Sequence, residues 1–182
     1  GSVRPELELI GQPLNDATRR RASALAHPAE VVRLRQPVDV ERFRGRGEPA
    51  PELRRVLLFG NHWVPGTRNY RLVAEACARL GLELEHVGGE RASLAPELAI
   101  ADADAVFGVG RCIVEAMASQ RAAYVFGDAV DGWVTPDNYE EVEGHGFAGG
   151  GTGKVIDLER LCADLERYDA EMGHQNRHLV VP

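Results

Sequence analysis

One short run carries residue types that could bind an anion and a diol together. Gly108-Val-Gly110-Arg111 follows the apolar run Ala103–Phe107, and Glu115 lies four positions after the arginine. Glycines let an anion approach the backbone, free N–H groups at a helix start carry partial positive charge, and an arginine adds a forked cation. A carboxylate one helical turn beyond Arg111 falls on roughly the same face, where it could accept both hydroxyls of a ribose. The chemistry so described is recognition of a phosphorylated nucleoside. The same residues also fit a plain glycine-rich turn followed by a surface helix, since short Gly-x-Gly patterns are weakly specific.

Further candidates lie in neighbouring loops. Asn61 and His62 follow the run Arg55–Gly60; His62 could contact base, sugar or acceptor, or simply be a loop histidine. Trp133, in Gly132-Trp-Val-Thr-Pro136, reads either as a lid over a ligand or as a tucked aromatic pinning its loop. Thr135 reads first as a helix cap and second as a ligand. His86 fits a packed strand position, while His145, His174 and His178 lack metal-ligand spacing, so no metal is expected. Gly149–Lys154 imitates a triphosphate loop, but Ala148 and Val155 stand where a glycine and a Ser or Thr are required. A flexible loop is the better reading there.

Elements that could position these residues alternate along the chain. Arg55–Gly60, Leu82–Gly89, Ala103–Phe107 and Ala122–Gly127 read as strands, the glycines marking their ends. Arg68–Leu80, Ser93–Ile100 and Gly108–Ser119 read as the intervening helices, with Gly81 as a C-terminal cap. Thr135 with Pro136 reads as a helix start, and Asp157–Met172 as a last long helix ending near Gly173. This rhythm predicts an α/β fold: a Rossmann-like parallel sheet of at least four strands with helices on both faces. The loops Asn61–Thr67, Gly88–Ala92, Gly108–Arg111 and Gly127–Thr135 then gather at the carboxyl ends of the strands, where such sheets bind ligands.

The first residues are less regular. Leu7–Ile10 and Glu30–Leu34 could be strands and Leu14–Ala26 a basic helix, its Arg19–Arg21 run a solvated face. Arg42–Arg55, rich in glycine, proline and charge, reads as an exposed linker.

Composition bounds the function. The chain has 182 residues, 44% hydrophobic and 27% charged, enough for one well-cored domain. A formal net charge of −7 argues against a general nucleic-acid surface. Cys77, Cys112 and Cys162 are odd in number and widely spaced, and read as buried thiols of a reducing compartment. No apolar run reaches the ~20 residues of a membrane span, so a cytoplasmic location is expected. Gly1-Ser2 looks like a cloning remnant and the ending HLVVP looks cut, so a piece of a larger protein is expected.

Three stretches in order carry a family resemblance. GVGRCIVEAMASQRAAYVFG resembles the donor-binding signature of GT-B glycosyltransferases of the group 1 retaining class. PVDVERF, Pro37–Phe43, resembles the segment joining the two domains of those enzymes, and RVLLFGNHWVPGTRNYRLVAEACARLG the first strand-loop-helix unit after it. Together they span about Pro37 to Lys154. The resemblance implies the C-terminal half of a GT-B fold, binding a nucleotide diphosphate sugar as substrate and needing no other cofactor. It implies a residual segment at 1–38 from the preceding domain or joint, a linker at 39–53 and a nucleotide-sugar-binding domain at 54–182. Glu115 would hold the ribose, Gly108 and Gly110 would admit the diphosphate, and Arg68 would pair with it alongside Arg111. The acceptor-binding N-terminal domain would be missing, leaving a fragment inactive by itself. Two departures stand out: Phe107 occupies the place of an earlier glutamate that contacts the sugar, and Arg68-Asn69 replaces a Lys-Gly pair. A non-catalytic nucleotide- or partner-binding module and a sugar-nucleotide epimerase are the alternatives.

Overall fold

Continuous apolar runs form the centre of the sheet. A computed structural model of the chain describes residues 35–150 and 155–181; the readings for Leu7–Ile10, Leu14–Ala26, Glu30–Leu34 and Gly151–Lys154 lie outside them. β3 (Ala105–Gly108) and β4 (Ala122–Phe126) are buried at every position, because both sheet faces are covered and no polar alternation is needed. β1 (Arg55–Phe59) runs beside β3, and β2 (Glu83–Val87) lies at the edge with Glu83 and Glu85 exposed. Charged side chains on an edge strand discourage pairing with other chains. The order is β2-β1-β3-β4-β5, parallel except for the antiparallel β5 (Val130–Trp133).

The helices divide between the two faces. α1 (Arg68–Leu80) and α5 (Leu158–Leu165) bury Val73, Ala76, Cys77, Leu161 and Leu165 in one core. α2 (Pro96–Asp102), α3 (Arg111–Ala118) and α4 (Tyr139–Gly144) place Ile100, Ile113, Met117 and Val142 in the other, with Leu179 and Val180 of α6 (Glu171–Val180) packed against it. Crossovers in parallel sheets are right-handed. The chain leaves β1 in one direction to reach β2, then returns past it to β3 and β4, so α1 and α3 lie on opposite faces. The reversal opens a crevice between the carboxyl ends of β1 and β3.

Three local expectations are corrected. β5 was not foreseen, since Val130-Asp-Gly-Trp carries turn-forming residues. The single helix expected over Asp157–Met172 is two: Asp157 caps α5 by accepting from the Arg160 N–H at 2.9 Å, and Asp169 opens the way to α6 by accepting from that of Glu171 at 2.9 Å. Gly173 therefore lies inside α6 rather than after a helix end. The helix expected from Thr135 starts at Tyr139; Asn138 accepts from the Thr135 N–H and donates to the Trp133 carbonyl.

The stretch preceding β1 lies along the domain. Phe43 is buried, the Arg46 carbonyl accepts from buried Arg121, and the Ala50 carbonyl accepts from the Tyr168 hydroxyl. Fully buried Asn176 on α6 accepts from the Ala123 N–H at 2.9 Å and donates to the Val134 carbonyl at 2.7 Å. That one side chain joins β4, the segment after β5 and α6.

Candidate functional site

The crevice is shaped by close backbone approach. A Cβ at Gly108 would stand 2.7 Å from the Phe59 carbonyl oxygen, so only glycine lets β1 and β3 end this closely. Gly110 precedes α3 at φ +61°, and its N–H donates to the Phe147 carbonyl at 2.8 Å. That amide is therefore already engaged. The Ile113 N–H bonds back to the Gly110 carbonyl at 3.1 Å, which leaves the first-turn amides of Arg111 and Cys112 as the donors facing outward by position.

Arg111 and Glu115 form a pair across one helical turn. Arg111 Nε lies 3.2 Å from Glu115 Oε1, with the arginine side chain 74% exposed and the glutamate side chain 10%. Burial raises the Glu115 pKa above its ordinary value, Arg111 and then Arg42 oppose that rise, and Glu97 adds to it. Arg42 is a residue the sequence reading missed as a participant. It comes from the stretch before β1, pairs with Glu97 at 2.8 Å and donates to the Leu94 carbonyl at 3.0 Å. Its position next to Phe43 in the PVDVERF run was the available signal, but only the fold brings it near Glu115.

His62 and Asn61 reach the crevice from the loop after β1. The Asn61 side chain accepts from the Gly89 N–H at 2.8 Å, tying that loop to the turn after β2. His62 Nδ1 and Cys112 Sγ both lie beside Gly60, 2.9 and 3.4 Å from where a Cβ on it would stand. Burial pushes the Cys112 thiol up to about 12, so it is a packing group rather than a nucleophile.

Other candidates stand elsewhere. Arg68 starts α1 on the opposite face from α3, and its guanidinium donates to the Ile156 carbonyl at 3.0 Å. Arg68 and Arg111 thus begin helices on opposite faces of the sheet, and the Arg68 side chain is bonded toward the approach to α5. Its neighbour Asn69 donates to the Gly127 carbonyl at 2.9 Å. Trp133 is the tucked aromatic of its two readings, 9% exposed and donating to the Asp164 carbonyl at 2.7 Å. Half-buried Thr135 belongs to the turn before α4. Phe107 is fully buried and stacked on Tyr124 with ring centres 4.3 Å apart, so that position faces the core.

Among the described residues no group of three or more His, Cys, Asp or Glu side chains has the arrangement to hold a metal ion. Nor does any described helix have the length and apolarity to cross a membrane. The fold and crevice define a doubly wound α/β domain with a topological switch point. Comparison with protein-family models, curated proteins and solved structures finds no match.

Proposed function

We propose that the crevice binds a nucleoside diphosphate, as the donor-binding part of a glycosyltransferase that moves a sugar from a nucleotide diphosphate sugar to an acceptor. The observation that carries this reading is the Arg111–Glu115 pair at the start of α3, beside the switch point. An exposed guanidinium and two first-turn amides suit a diphosphate, and a nearly buried carboxylate one turn further suits the two hydroxyls of a ribose. Positioning the diphosphate and neutralising charge on it as the glycosidic bond breaks is the physical work such a site performs. The resemblance of Gly108–Gly127 to the donor-binding signature supports the same reading.

A second reading keeps nucleotide binding without sugar transfer. Phe107, stacked into the core where the resemblance has a sugar-contacting glutamate, favours it. Titration calorimetry with uridine, guanosine and adenosine diphosphates, and with matching sugar nucleotides, separates the possibilities. A donor site binds at least one diphosphate at micromolar to millimolar strength and binds its sugar nucleotide more tightly. Equal binding of both forms favours the non-catalytic module, and no binding by folded protein overturns both.

A further inference from the structure

We propose that His62 is a direct diphosphate contact in the crevice and that it takes up a proton as the anion binds. The inference rests on the nucleoside-diphosphate reading and adds to it a residue and a pH response. Its basis is position. The ring lies beside Gly60 at the end of β1, with the Cys112 side chain of α3 at the same point. The Phe126 carbonyl at the end of β4 and the Asp128 carboxylate beyond it are also near enough to act on the imidazole. His62 thus stands among the ends of three elements that border the switch point, with the first turn of α3 adjacent. It stays exposed, while Trp63 backs it with ring centres 4.8 Å apart.

The groups around it set the direction. Surrounding protein partly desolvates the imidazole although the residue keeps an exposed edge, which holds it below its ordinary pKa of 6.5; the Phe126 carbonyl and Asp128 oppose that, and His86 on β2 adds to the lowering. The Cys112 thiol remains neutral at physiological pH and adds no charge beside the ring. A diphosphate arriving at the α3 start adds negative charge that reverses this balance. His86 on β2 packs against Tyr70 of α1 with ring centres 5.8 Å apart. It is only 7% exposed, both of its ring nitrogens lack a hydrogen-bond partner among the described residues, and it lies near enough to act on His62. Buried polar atoms are seldom left so without water or ligand to serve them.

The sign follows. The bound state holds the proton more tightly than the free state, so affinity rises as pH falls through the bound-state pKa and levels off below the free-state one. The test is binding of uridine diphosphate and inorganic pyrophosphate between pH 6 and pH 8, using wild type and His62→Gln. Proton magnetic resonance of the His62 ring is followed alongside. Because the ligands titrate too, the readout is the difference between the two proteins. Wild type should gain about tenfold over the variant at pH 6, and much less at pH 8, with both ligands. The His62 titration should move to higher pH on saturation. Parallel pH profiles for the two proteins, an unmoved His62 resonance, or an effect confined to the nucleotide would overturn the phosphate contact. If folded wild type binds neither ligand, the nucleotide reading itself falls.

Discussion

Arg111 covers Glu115: the exposed guanidinium holds a carboxylate that α3 has carried almost out of water. An exposed i,i+4 ion pair is worth only about 0.3–0.5 kcal/mol, so the pairing does not offset much burial. The glutamate is better explained by what it could bind than by what it contributes to folding.

Glu115→Gln should therefore not destabilise the protein at neutral pH. The folded state holds the Glu115 proton more tightly than the unfolded chain does. Its ionisation thus weakens the fold as pH rises from the ordinary carboxylate value through the folded-state pKa. At pH 7.5 the melting temperature of the variant should equal or exceed that of wild type, and the difference should vanish in acid. The same substitution should weaken nucleoside diphosphates while leaving pyrophosphate nearly unchanged. A lowered melting temperature at pH 7.5 with unchanged nucleotide affinity would remove Glu115 from the site.

Arg111→Ala and Arg68→Ala should part company. Loss of Arg111 should weaken uridine diphosphate and pyrophosphate alike, by about 1.5–3 kcal/mol, with little change in melting. Loss of Arg68 should cost about 1 kcal/mol of stability through its Ile156 hydrogen bond and leave pyrophosphate binding intact. Calorimetry paired with urea unfolding measures both. An Arg68 variant that loses anion binding would restore it to the site.

Asn176→Ala should be severely destabilising. It strips partners from the Ala123 N–H and the Val134 carbonyl at once. At about 1–3 kcal/mol for each of the two buried groups left unpaired, a loss of about 2–6 kcal/mol is expected in urea unfolding. A loss below about 1 kcal/mol would show that water replaces the side chain.

Phe107→Glu should fail to fold rather than recover a sugar contact. The new carboxylate would replace a ring stacked on Tyr124 in a fully buried, aromatic-lined site, where a charge is costly to bury. Circular dichroism and soluble yield check this. A folded variant with tightened sugar-nucleotide binding would mean that the strand presents this position to the crevice.

The strand-helix rhythm was legible because central strands of a parallel sheet are apolar throughout, as in Ala122–Phe126, whereas the helices keep a polar face. β5 was not legible: Asp131 and Gly132 are turn formers that become a strand only by pairing with Tyr124–Phe126. The break before α6 was hidden because apolar spacing runs on through Tyr168 and Met172. A hydrogen bond from Tyr168 to Ala50 and a side-chain turn at Asp169 accompany the break. In the candidate site, Gly108–Glu115 was readable as a local motif. The approach of Arg42 to Glu115 and the diversion of Arg68 to Ile156 depend on residues far away in sequence, which no local pattern encodes.

The sheet order also imposes a timetable on synthesis. β1 lies between β2 and β3, so when β2 has emerged from the ribosome one side of Val56–Leu58 still lacks its neighbour. That neighbour begins at residue 105, and at roughly 5–20 residues per second the wait after residue 87 lasts about 1–4 s. Through that interval a strand with three buried apolar residues presents open backbone groups. A translational pause while residues 88–104 are emerging would lengthen this exposure, whereas a pause after residue 108 has emerged would not. The reversal of chain direction that opens a crevice in the finished domain thus leaves a sticky edge in the nascent one.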